Sequence, residues 1–422
     1  MRMNDAARTR AVLDLAIRLA MLQLEAGAGA QDATATMTGV SRAFGLRGTD
    51  ADVTSTELTL SWTDPTGDDA ITRRHIISRR GLDYHRLAAA AGLYDEILGH
   101  RIDLVTARRR LPAITGGRPL FPPLVQRIGW GVVGAGAGIL LGGGMLVAAV
   151  AFVTGFLLDL ISVTLGRRGV PLLFQTFVGG AVGPVAAVLV HLVDPEASAS
   201  LIVVATIIVL LAGVTVFGGV QDVLTAFYVT GLARITEGFV ATIGLAGGVI
   251  ATSLLLNRLG APLAISVNEA QPESAPLIAS AAAVIIVIGF AFGTQLPWRA
   301  LWVVCVLAVI VEAVFLACTL AGLGAVWGSA VAAVTVGVVA SPLTRLTRTP
   351  VLPLIVTAVI PLLPGLVLFN GMMQVASEQV DGLLDIFRAA AIAGALSAGT
   401  IFGHYLVRFI GGRTRTLRLG RI

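Results

Sequence analysis

The sequence predicts an α-helical polytopic membrane protein with about ten transmembrane helices, arranged as a 5+5 inverted repeat and preceded by a small cytosolic α/β domain. Composition is the first reason: 56% of the 422 residues are hydrophobic, 13% are charged, and the mean hydropathy is +0.87, outside the range of soluble domains. Charge distribution is the second, because residues 1–127 carry 17 of the 30 arginines. The third is a series of apolar runs of spanning length after Arg127.

Residues 1–126 form the predicted cytosolic domain. Amphipathic periodicity predicts its helices, and an alternating stretch rich in Thr and Val predicts a strand. The helices are expected at Thr9–Ala26, Asp32–Phe44, Tyr84–Leu98 and Ile102–Arg110, and the strand at Asp52–Trp62. Charged residues interrupt residues 1–26 throughout, so we expect no cleavable signal peptide and a domain that stays in the cytosol.

Ten apolar runs follow this domain, in two halves. They cover residues 128–143, 145–165, 171–191, 200–219, 235–256, 276–294, 299–320, 323–341, 351–371 and 384–407. The first half is 127–257, an extracytoplasmic linker occupies 258–275, the second half is 276–410, and a basic cytosolic tail occupies 411–422. Arginines concentrate in the loops that this order places inside, so the positive-inside rule predicts that both termini are cytosolic.

The two halves carry an internal repeat. Residues 201–222 align without a gap on residues 353–374, and both segments contain L-L-[AP]-G followed by F-x-G. Nearly the same offset relates Asp159 in the second run to Glu312 in the seventh. Because each half has an odd number of spans, the second half must enter the membrane in the opposite sense. Many secondary transporters have this inverted repeat, and their ligand sites lie where the halves meet.

Glycine and proline are predicted to interrupt one helix in each half at corresponding positions. The residues are Gly213 in the first half and Pro361, Pro364 and Gly365 in the second. Paired interruptions of this kind are typical of a substrate site, because freed backbone groups can bind a ligand only where they line a cavity. The alternative is a proline kink without a ligand.

Two acids lie inside apolar runs, Asp159 and Glu312. A charge at membrane depth costs roughly 2.5–3.5 kcal/mol on insertion scales and usually faces a partner, a cavity or a proton path. The functional interpretation is proton coupling or capture of an ammonium group. The alternative is a polar residue near a helix end, or one that joins two helices.

Polar residues also follow the interrupted helices. Gln221, Asp222, Arg234 and Glu237 are predicted at the cytosolic side, where Arg234 and Glu237 share a helix face and could form the ion-pair latch of a gate. Asn370 and Gln374 occupy the matching place on the outer side. The alternative for both groups is an ordinary interfacial loop.

No catalytic or metal-binding motif stands out. The glycines of residues 134–144 lack the strand and the acid of a dinucleotide site, so close helix packing is the favoured interpretation. Acids and histidines of the first domain alternate with arginines, as on a solvated helix face. We therefore expect no catalytic residue, no metal, no cofactor and no nucleic-acid partner.

Several segments resemble a known family. The first domain, with LAIRLAMLQLEAGAGAQDATATMTGVSRAFGL, STELTLSW and RRGLDYHRLAAAAGLYDEIL, resembles the N-terminal domain of the threonine/serine exporter family. The segments AGVTVFGGVQDVLTAFYVTGLARITEG and PLLPGLVLFNGM are similar to the signatures of that family's two membrane halves. One departure is that Ala212 and Gln221–Asp222 stand where many relatives have proline and an Arg-Asp pair.

The resemblance implies a secondary-active exporter of threonine and serine in the plasma membrane, driven by the proton gradient, and a transporter instead of an enzyme. Its partners would be the amino-acid substrate and the lipid bilayer, with a homo-oligomer left open. One alternative is export of small dicarboxylates such as succinate, for which Arg234 or Arg388 would have to face the cavity. Another is a sensor or enzyme domain on a membrane anchor.

Overall fold

The computed structural model describes residues 2–64, 70–77, 80–261 and 276–419. Most of the predicted linker 258–275 and the last three residues of the predicted tail lie outside these ranges. The described residues are mostly helical, with one small antiparallel sheet near the N-terminus.

Outside residues 65–69 and 78–79, the N-terminal region consists of four α-helices and a three-stranded sheet in the order β1-β2-β3. Its elements are α1 (Arg2–Glu25), α2 (Ala30–Ala43), β1 (Thr49–Val53), β2 (Glu57–Thr63), β3 (Ala70–Ile76), α3 (Tyr84–Leu98) and α4 (Leu104–Thr115). Apolar side chains of α1, α2 and β2 pack into one core, including the fully buried Leu15, Met37 and Leu58. Asp83 and Asp103 cap the N-termini of α3 and α4 by accepting backbone N–H bonds.

The single strand expected at Asp52–Trp62 is wrong: the segment contains parts of two strands. Val53 pairs with Leu58, and the chain reverses between them, with the N–H of Thr54 bonded to the carbonyl of Glu57 at 2.9 Å. The alternating pattern continues through this tight turn, which is why the sequence suggested one strand. Strand β3 was not predicted at all, because five of its seven residues are exposed and show no apolar alternation.

In the described part of the chain, twelve α-helices follow the N-terminal region. They are α5 (Pro123–Leu140), α6 (Met145–Arg167), α7 (Leu172–His191), α8 (Ala199–Ile207), α9 (Gly213–Leu224), α10 (Tyr228–Arg258), α11 (Pro276–Gly293), α12 (Trp298–Leu320), α13 (Gly324–Thr347), α14 (Val351–Val359), α15 (Gly365–Ala376) and α16 (Asp381–Leu419). Five of them start directly after a proline, at Pro122, Pro171, Pro297, Pro350 and Pro364. Proline is tolerated there because the first turn of a helix leaves its N–H groups unpaired.

Among the described residues, seven helices are long and apolar enough to cross a membrane, or nine if each of two bent helix pairs counts as one span. The pairs are α8 with α9 and α14 with α15. Helix α5, the first of the ten predicted spans, is not among the nine, since five of its eighteen residues are glycine and it contains Gln126 and Arg127. The count of ten therefore stays a prediction.

Glycines bring the membrane helices into close contact. A Cβ on Gly129 of α5 would lie 2.6 Å from the carbonyl oxygen of Gly289 of α11, and a Cβ on Gly136 would lie 2.8 Å from a carbon of Ile286. Small residues in apolar helices allow this approach. The glycine-rich stretch of α5 thus packs against neighbouring helices, as the sequence suggested.

The N-terminal region contacts one face of the helix bundle, which we call the N-terminal face. The hydroxyl of Thr230 in α10 donates to the carbonyl of Val53 at 3.0 Å, and the N–H of Tyr84 donates to the carbonyl of Thr294 at 2.9 Å. The side chain of Tyr84 is fully buried among the membrane helices and lies beside Phe290. The N-terminal region is therefore docked onto the bundle by both hydrogen bonds and apolar packing.

Candidate functional site

The two bent helix pairs meet at their breaks. Helices α8 and α9 are bent by 45° and α14 and α15 by 46°, each after a one-turn 3-10 helix and an extended leucine, Leu211 or Leu363. A Cβ on Gly213 would lie 3.0 Å from the Cβ of Leu363, and a Cβ on Gly365 would lie 2.8 Å from the Cβ of Leu211. Each break thus packs against the extended residue of the other.

The predicted interrupting residues lie within these breaks. Gly213 and Gly365 are the first residues of α9 and α15, Pro361 lies in the second 3-10 turn, and Pro364 precedes α15. Proline lacks the N–H that would continue a helix, so the break at residues 360–364 follows from the sequence. The matching break at Gly213 has no proline and depends on glycine and tertiary packing.

A small cavity of about 80 Å³ lies beside the two breaks. It is lined by apolar side chains and glycines: Gly213, Val216, Val220, Ile235, Phe239, Pro364, Gly365, Leu368, Ile386, Ala389 and Ala390. These residues belong to the two broken helices and to α10 and α16. The structure therefore represents a closed arrangement, with little free space at the point where the halves meet.

Asp222 connects three parts of the molecule at the N-terminal face. The residue is 2% exposed. One carboxylate oxygen accepts from the backbone N–H of Ala30, the first residue of α2, at 3.0 Å, and the other accepts from Nη1 of Arg234 at 2.8 Å. The carboxylate thus supplies the N-terminal cap that Gly29 cannot give to α2. The sequence analysis expected Arg234 to form an ion pair with Glu237. In the structure Arg234 pairs with Asp222 instead, and Glu237 is exposed.

The second broken helix has a related contact. Gln374, near the end of α15, donates to a carboxylate oxygen of Asp385 in α16 at 2.9 Å. Asp385 was missed by the sequence analysis, although it follows Gln374 at about the spacing by which Arg234 follows Asp222. Among the described residues, the side-chain oxygen of the nearby Asn370 is buried and has no hydrogen-bonding partner. Gln221 donates to the hydroxyl of Thr400 at 3.3 Å, which ties α9 to α16.

The two predicted membrane acids differ in their surroundings. Asp159 in α6 lies 3.7 Å from Nε of Arg127 in α5, with both side chains mostly buried. Glu312 in α12 is partly buried and has no ion-pair or hydrogen-bonding partner among the described residues. The sequence did not identify Arg127 as a partner, because a helix pairing between α5 and α6 cannot be read from residue types alone.

Arg80 is a further charged residue that sequence analysis missed. Its Nε and Nη2 atoms are buried and have no hydrogen-bonding partner among the described residues. Burial lowers the pKa of the guanidinium, and the positive charge of Arg234 lowers it further, against the opposing effects of Asp222 and Glu237. Of the two arginines expected as candidates, Arg234 is mostly buried at this place, whereas Arg388 is exposed.

A larger cavity of about 400 Å³ lies between the N-terminal region and the helix bundle. Its polar lining includes Gln23, Gln31, Asp32, Thr36, Tyr94, Gln221, Asp222, Thr225, Thr400, His404 and Tyr405. The side chains come from α1, α2 and α3 on one side and from α9 and α16 on the other. In the described part of the chain, no cluster of three or more His, Cys, Asp or Glu side chains is arranged to hold a metal ion.

The long apolar helices and the two broken pairs define a multi-pass membrane protein. Comparison with known families then assigns it: the model described as "Putative threonine/serine exporter" matches residues 14–256, and the model described as "Threonine/Serine exporter, ThrE" matches residues 279–406. The chain belongs to the threonine/serine exporter family, as the motifs in the sequence suggested.

Two relatives are similar over nearly the whole chain. A protein of Mycobacterium tuberculosis (strain ATCC 25618 / H37Rv), named "Probable threonine/serine exporter", is 29% identical over 97% of this chain and 79% of its own length. A protein of Corynebacterium glutamicum, named "Threonine/serine exporter", is 28% identical over 96% of this chain and 84% of its own length. No solved structure is significantly similar to the chain.

Proposed function

We propose that this protein is a secondary-active exporter of threonine and serine in the plasma membrane, driven by the proton gradient. The observation that carries the proposal is the meeting of two broken helices at Gly213 and Gly365. Paired broken helices with their breaks near the middle of the membrane are where many secondary transporters bind substrate. The names of the two relatives supply the substrate class.

The arrangement of helices supports the 5+5 inverted repeat. The series α8, 3-10 turn, α9 occupies residues 199–224, and the series α14, 3-10 turn, α15 occupies residues 351–376, so corresponding bounds differ by 152 residues. The contacts follow the same pattern, since α7 packs on α10 as α13 packs on α16. A repeat of five spans gives the second half the opposite orientation, which places the two breaks on either side of a common site.

The contacts of the N-terminal face support ten spans with cytosolic termini. Asp222 in the last turn of α9, Thr294 after α11 and Pro350 before α14 all lie against the N-terminal region or the cavity it encloses. Leu141, at the other end of α5, packs instead in a core with Ala187 and Ile202. Helix α5 therefore runs away from the N-terminal face, which is the direction that a tenth span requires.

In this proposal the substrate passes between the broken helices, and a membrane acid carries the proton. Glu312 is the better candidate for the carrier, because no described residue neutralises it, whereas Asp159 has Arg127 beside it. Asp222 with Arg234 closes the path on the cytosolic side, and Gln374 with Asp385 closes it on the outer side.

Export of small dicarboxylates is a second candidate function. The observation that favours it is the pair of buried or mostly buried arginines, Arg80 and Arg234, of which only Arg234 has an ion-pair partner among the described residues. Arginine recognises carboxylates through two parallel N–H···O bonds, and a dicarboxylate offers a second group for such a contact.

Efflux from proteoliposomes tests the function. Purified protein is reconstituted into vesicles that are preloaded with labelled threonine, serine or succinate, and efflux is followed with and without an imposed pH gradient. We expect the gradient to accelerate loss of threonine and serine. Acceleration of succinate efflux alone would favour the dicarboxylate function, and no efflux above empty vesicles for any of the three would reject both.

A further inference from the structure

Arg80 carries a guanidinium of which two nitrogens are buried and have no hydrogen-bonding partner among the described residues. A guanidinium has five N–H donors and no acceptor, and it stays charged in proteins. The Nε and Nη2 atoms of Arg80 are buried and bond to none of the described residues. Leaving a buried charged donor without a partner is strongly unfavourable, so each such group in a folded protein calls for a ligand, an ion or a water.

The backbone holds Arg80 at the seam between the N-terminal region and the bundle. The N–H of the next residue, Gly81, bonds to the carbonyl of Glu25 at 3.0 Å, which fixes the segment to the end of α1. Leu82 and Tyr84 pack into the core of the membrane helices. The backbone from Arg80 to Tyr84 is therefore anchored on both sides, at the end of α1 and in the core of the membrane helices.

Neighbouring acids do not neutralise Arg80. Both oxygens of Asp222 are already occupied, one by the N–H of Ala30 and one by Arg234. Glu237 is close enough to influence Arg80 electrostatically, but its own side chain is exposed and no described contact joins the two. Because Asp222 is paired with Arg234, the positive charge without an ion-pair partner at this part of the seam is that of Arg80, and it favours an anion.

We propose that Arg80 binds the carboxylate group of the transported substrate where it enters from the cytosol. The inference rests on the proposed function and extends it, because it gives the N-terminal region a direct part in substrate binding. A guanidinium fork matches a carboxylate with two parallel hydrogen bonds. Amino acids and dicarboxylates share this group, so the site by itself accepts both, and the rest of the path selects between them.

Calorimetric titration of the full-length protein in lipid nanodiscs tests the assignment. The two probes are threonine and threoninol, which keeps the ammonium and hydroxyl groups and lacks the carboxylate. The variants are Arg80→Gln and Arg80→Lys, and Arg10→Gln serves as the matched control because Arg10 is an exposed arginine of the same region. Size-exclusion profiles and melting temperatures report whether each variant is folded.

We expect Arg80→Gln to weaken threonine binding by about tenfold or more, which is the effect of losing a hydrogen bond to a charged group. Threoninol binding should change less than about twofold, as expected for a ligand that never used Arg80. Arg80→Lys should fall between the wild type and Arg80→Gln, because lysine keeps the charge without the fork. If Arg80→Gln does not fold, the lysine variant alone decides, through the ratio of its threonine and threoninol affinities.

Equal affinities of wild type and Arg80→Gln for threonine would overturn the proposal, as would an equal loss for both probes. If the wild type does not bind threonine, the same titrations are made with succinate and acetate. Carboxylate binding that disappears in Arg80→Gln would then keep the assignment of Arg80 and reject amino-acid export. If none of these carboxylates binds the wild type, the Arg80 assignment is wrong and a water satisfies the guanidinium.

Discussion

At the scale of single residues, Asp222 is the side chain on which most contacts converge. It lies at the end of a broken membrane helix, neutralises Arg234 and caps α2 of the N-terminal region. A residue with only one of these contacts would be an ordinary interfacial acid. Three parts of the chain depend on one carboxylate, so its removal should loosen the docking of the N-terminal region as well as the bundle.

Replacing Asp222 by Ala should destabilise the protein by about 3 kcal/mol, because breaking a buried ion pair leaves the other charge without compensation. Such a loss typically costs about 3–5 kcal/mol. We expect the low end because the side chain of Arg234 keeps 16% exposure. Thermal unfolding in detergent, followed by intrinsic fluorescence, measures the change. Limited proteolysis should also cut the N-terminal region faster in this variant.

Two further variants make the Asp222 prediction specific. Asp222→Asn keeps an oxygen for the N–H of Ala30 and removes the charge that faces Arg234, so its effect should be smaller than that of alanine. Asp194→Ala removes an aspartate from a loop, where its side chain accepts one described hydrogen bond, from the N–H of Glu196, and should change stability by less than about 0.5 kcal/mol. Equal melting temperatures for Asp222→Ala and Asp194→Ala would contradict the assigned role.

The two membrane acids lead to a second prediction at the residue scale. Glu312→Gln should abolish the acceleration of efflux by a pH gradient, because an amide cannot carry the proton. Exchange of internal for external threonine, which needs no net proton movement, should persist. Asp159→Asn should retain part of the acceleration, since Asp159 pairs with Arg127. Both activities are measured in the same proteoliposomes, and full gradient-driven efflux in both variants would refute proton coupling through these acids.

At the scale of elements, the two breaks form the central feature of the bundle. Leu211 and Leu363 are extended residues between helices, and each lies against the glycine that begins α15 or α9 in the opposite half. Extended backbone inside a membrane needs polar partners or a cavity. The extended backbone at these two leucines can move when the site opens. Backbone within a helix is held by its own hydrogen bonds and cannot.

Alanine at Gly365 should impair transport, because its Cβ would lie 2.8 Å from the Cβ of Leu211. Overpacking of this kind costs roughly 1–3 kcal/mol. If only the closed state bears this cost, the population of the closed state changes by about tenfold. Gly394→Ala is the matched control, since no atom lies within 4 Å of its Cβ position and alanine favours the helix. Initial efflux rates at equal protein density separate the two, and a similar loss in both would point to general destabilisation.

The sequence predicted the helices and their breaks better than the side-chain contacts between helices. Proline, glycine and capping aspartates act on the local backbone, so the break at Pro364–Gly365 and the start of α3 after Asp83 followed from residue types. The contacts of Asp222, Asp385 and Arg80 depend on which helices meet, and a single sequence does not contain that information. Strand β3 was missed for a different reason, because an exposed edge strand shows no apolar alternation.

At the scale of the whole molecule, the status of α5 decides the topology. If α5 crosses the membrane, the chain has ten spans and the loop after α6 lies on the same side as the N-terminal region. If it does not, nine spans remain and every later loop changes sides. Between Arg10 and Arg168 the chain crosses the membrane twice if α5 is a span and once if it is not. Both arginines have exposed side chains.

Cysteine labelling can therefore distinguish ten spans from nine. The native Cys305 and Cys318 are first replaced by alanine, and single cysteines are then introduced as Arg10→Cys, Arg168→Cys and Val193→Cys. In intact cells a membrane-impermeant maleimide should label only Val193→Cys, a position that is 84% exposed beyond the end of α7. After permeabilisation all three should react. Labelling of Arg168→Cys in intact cells together with protection of Val193→Cys would show that α5 stays on the cytosolic side, and the five-plus-five repeat would then be wrong.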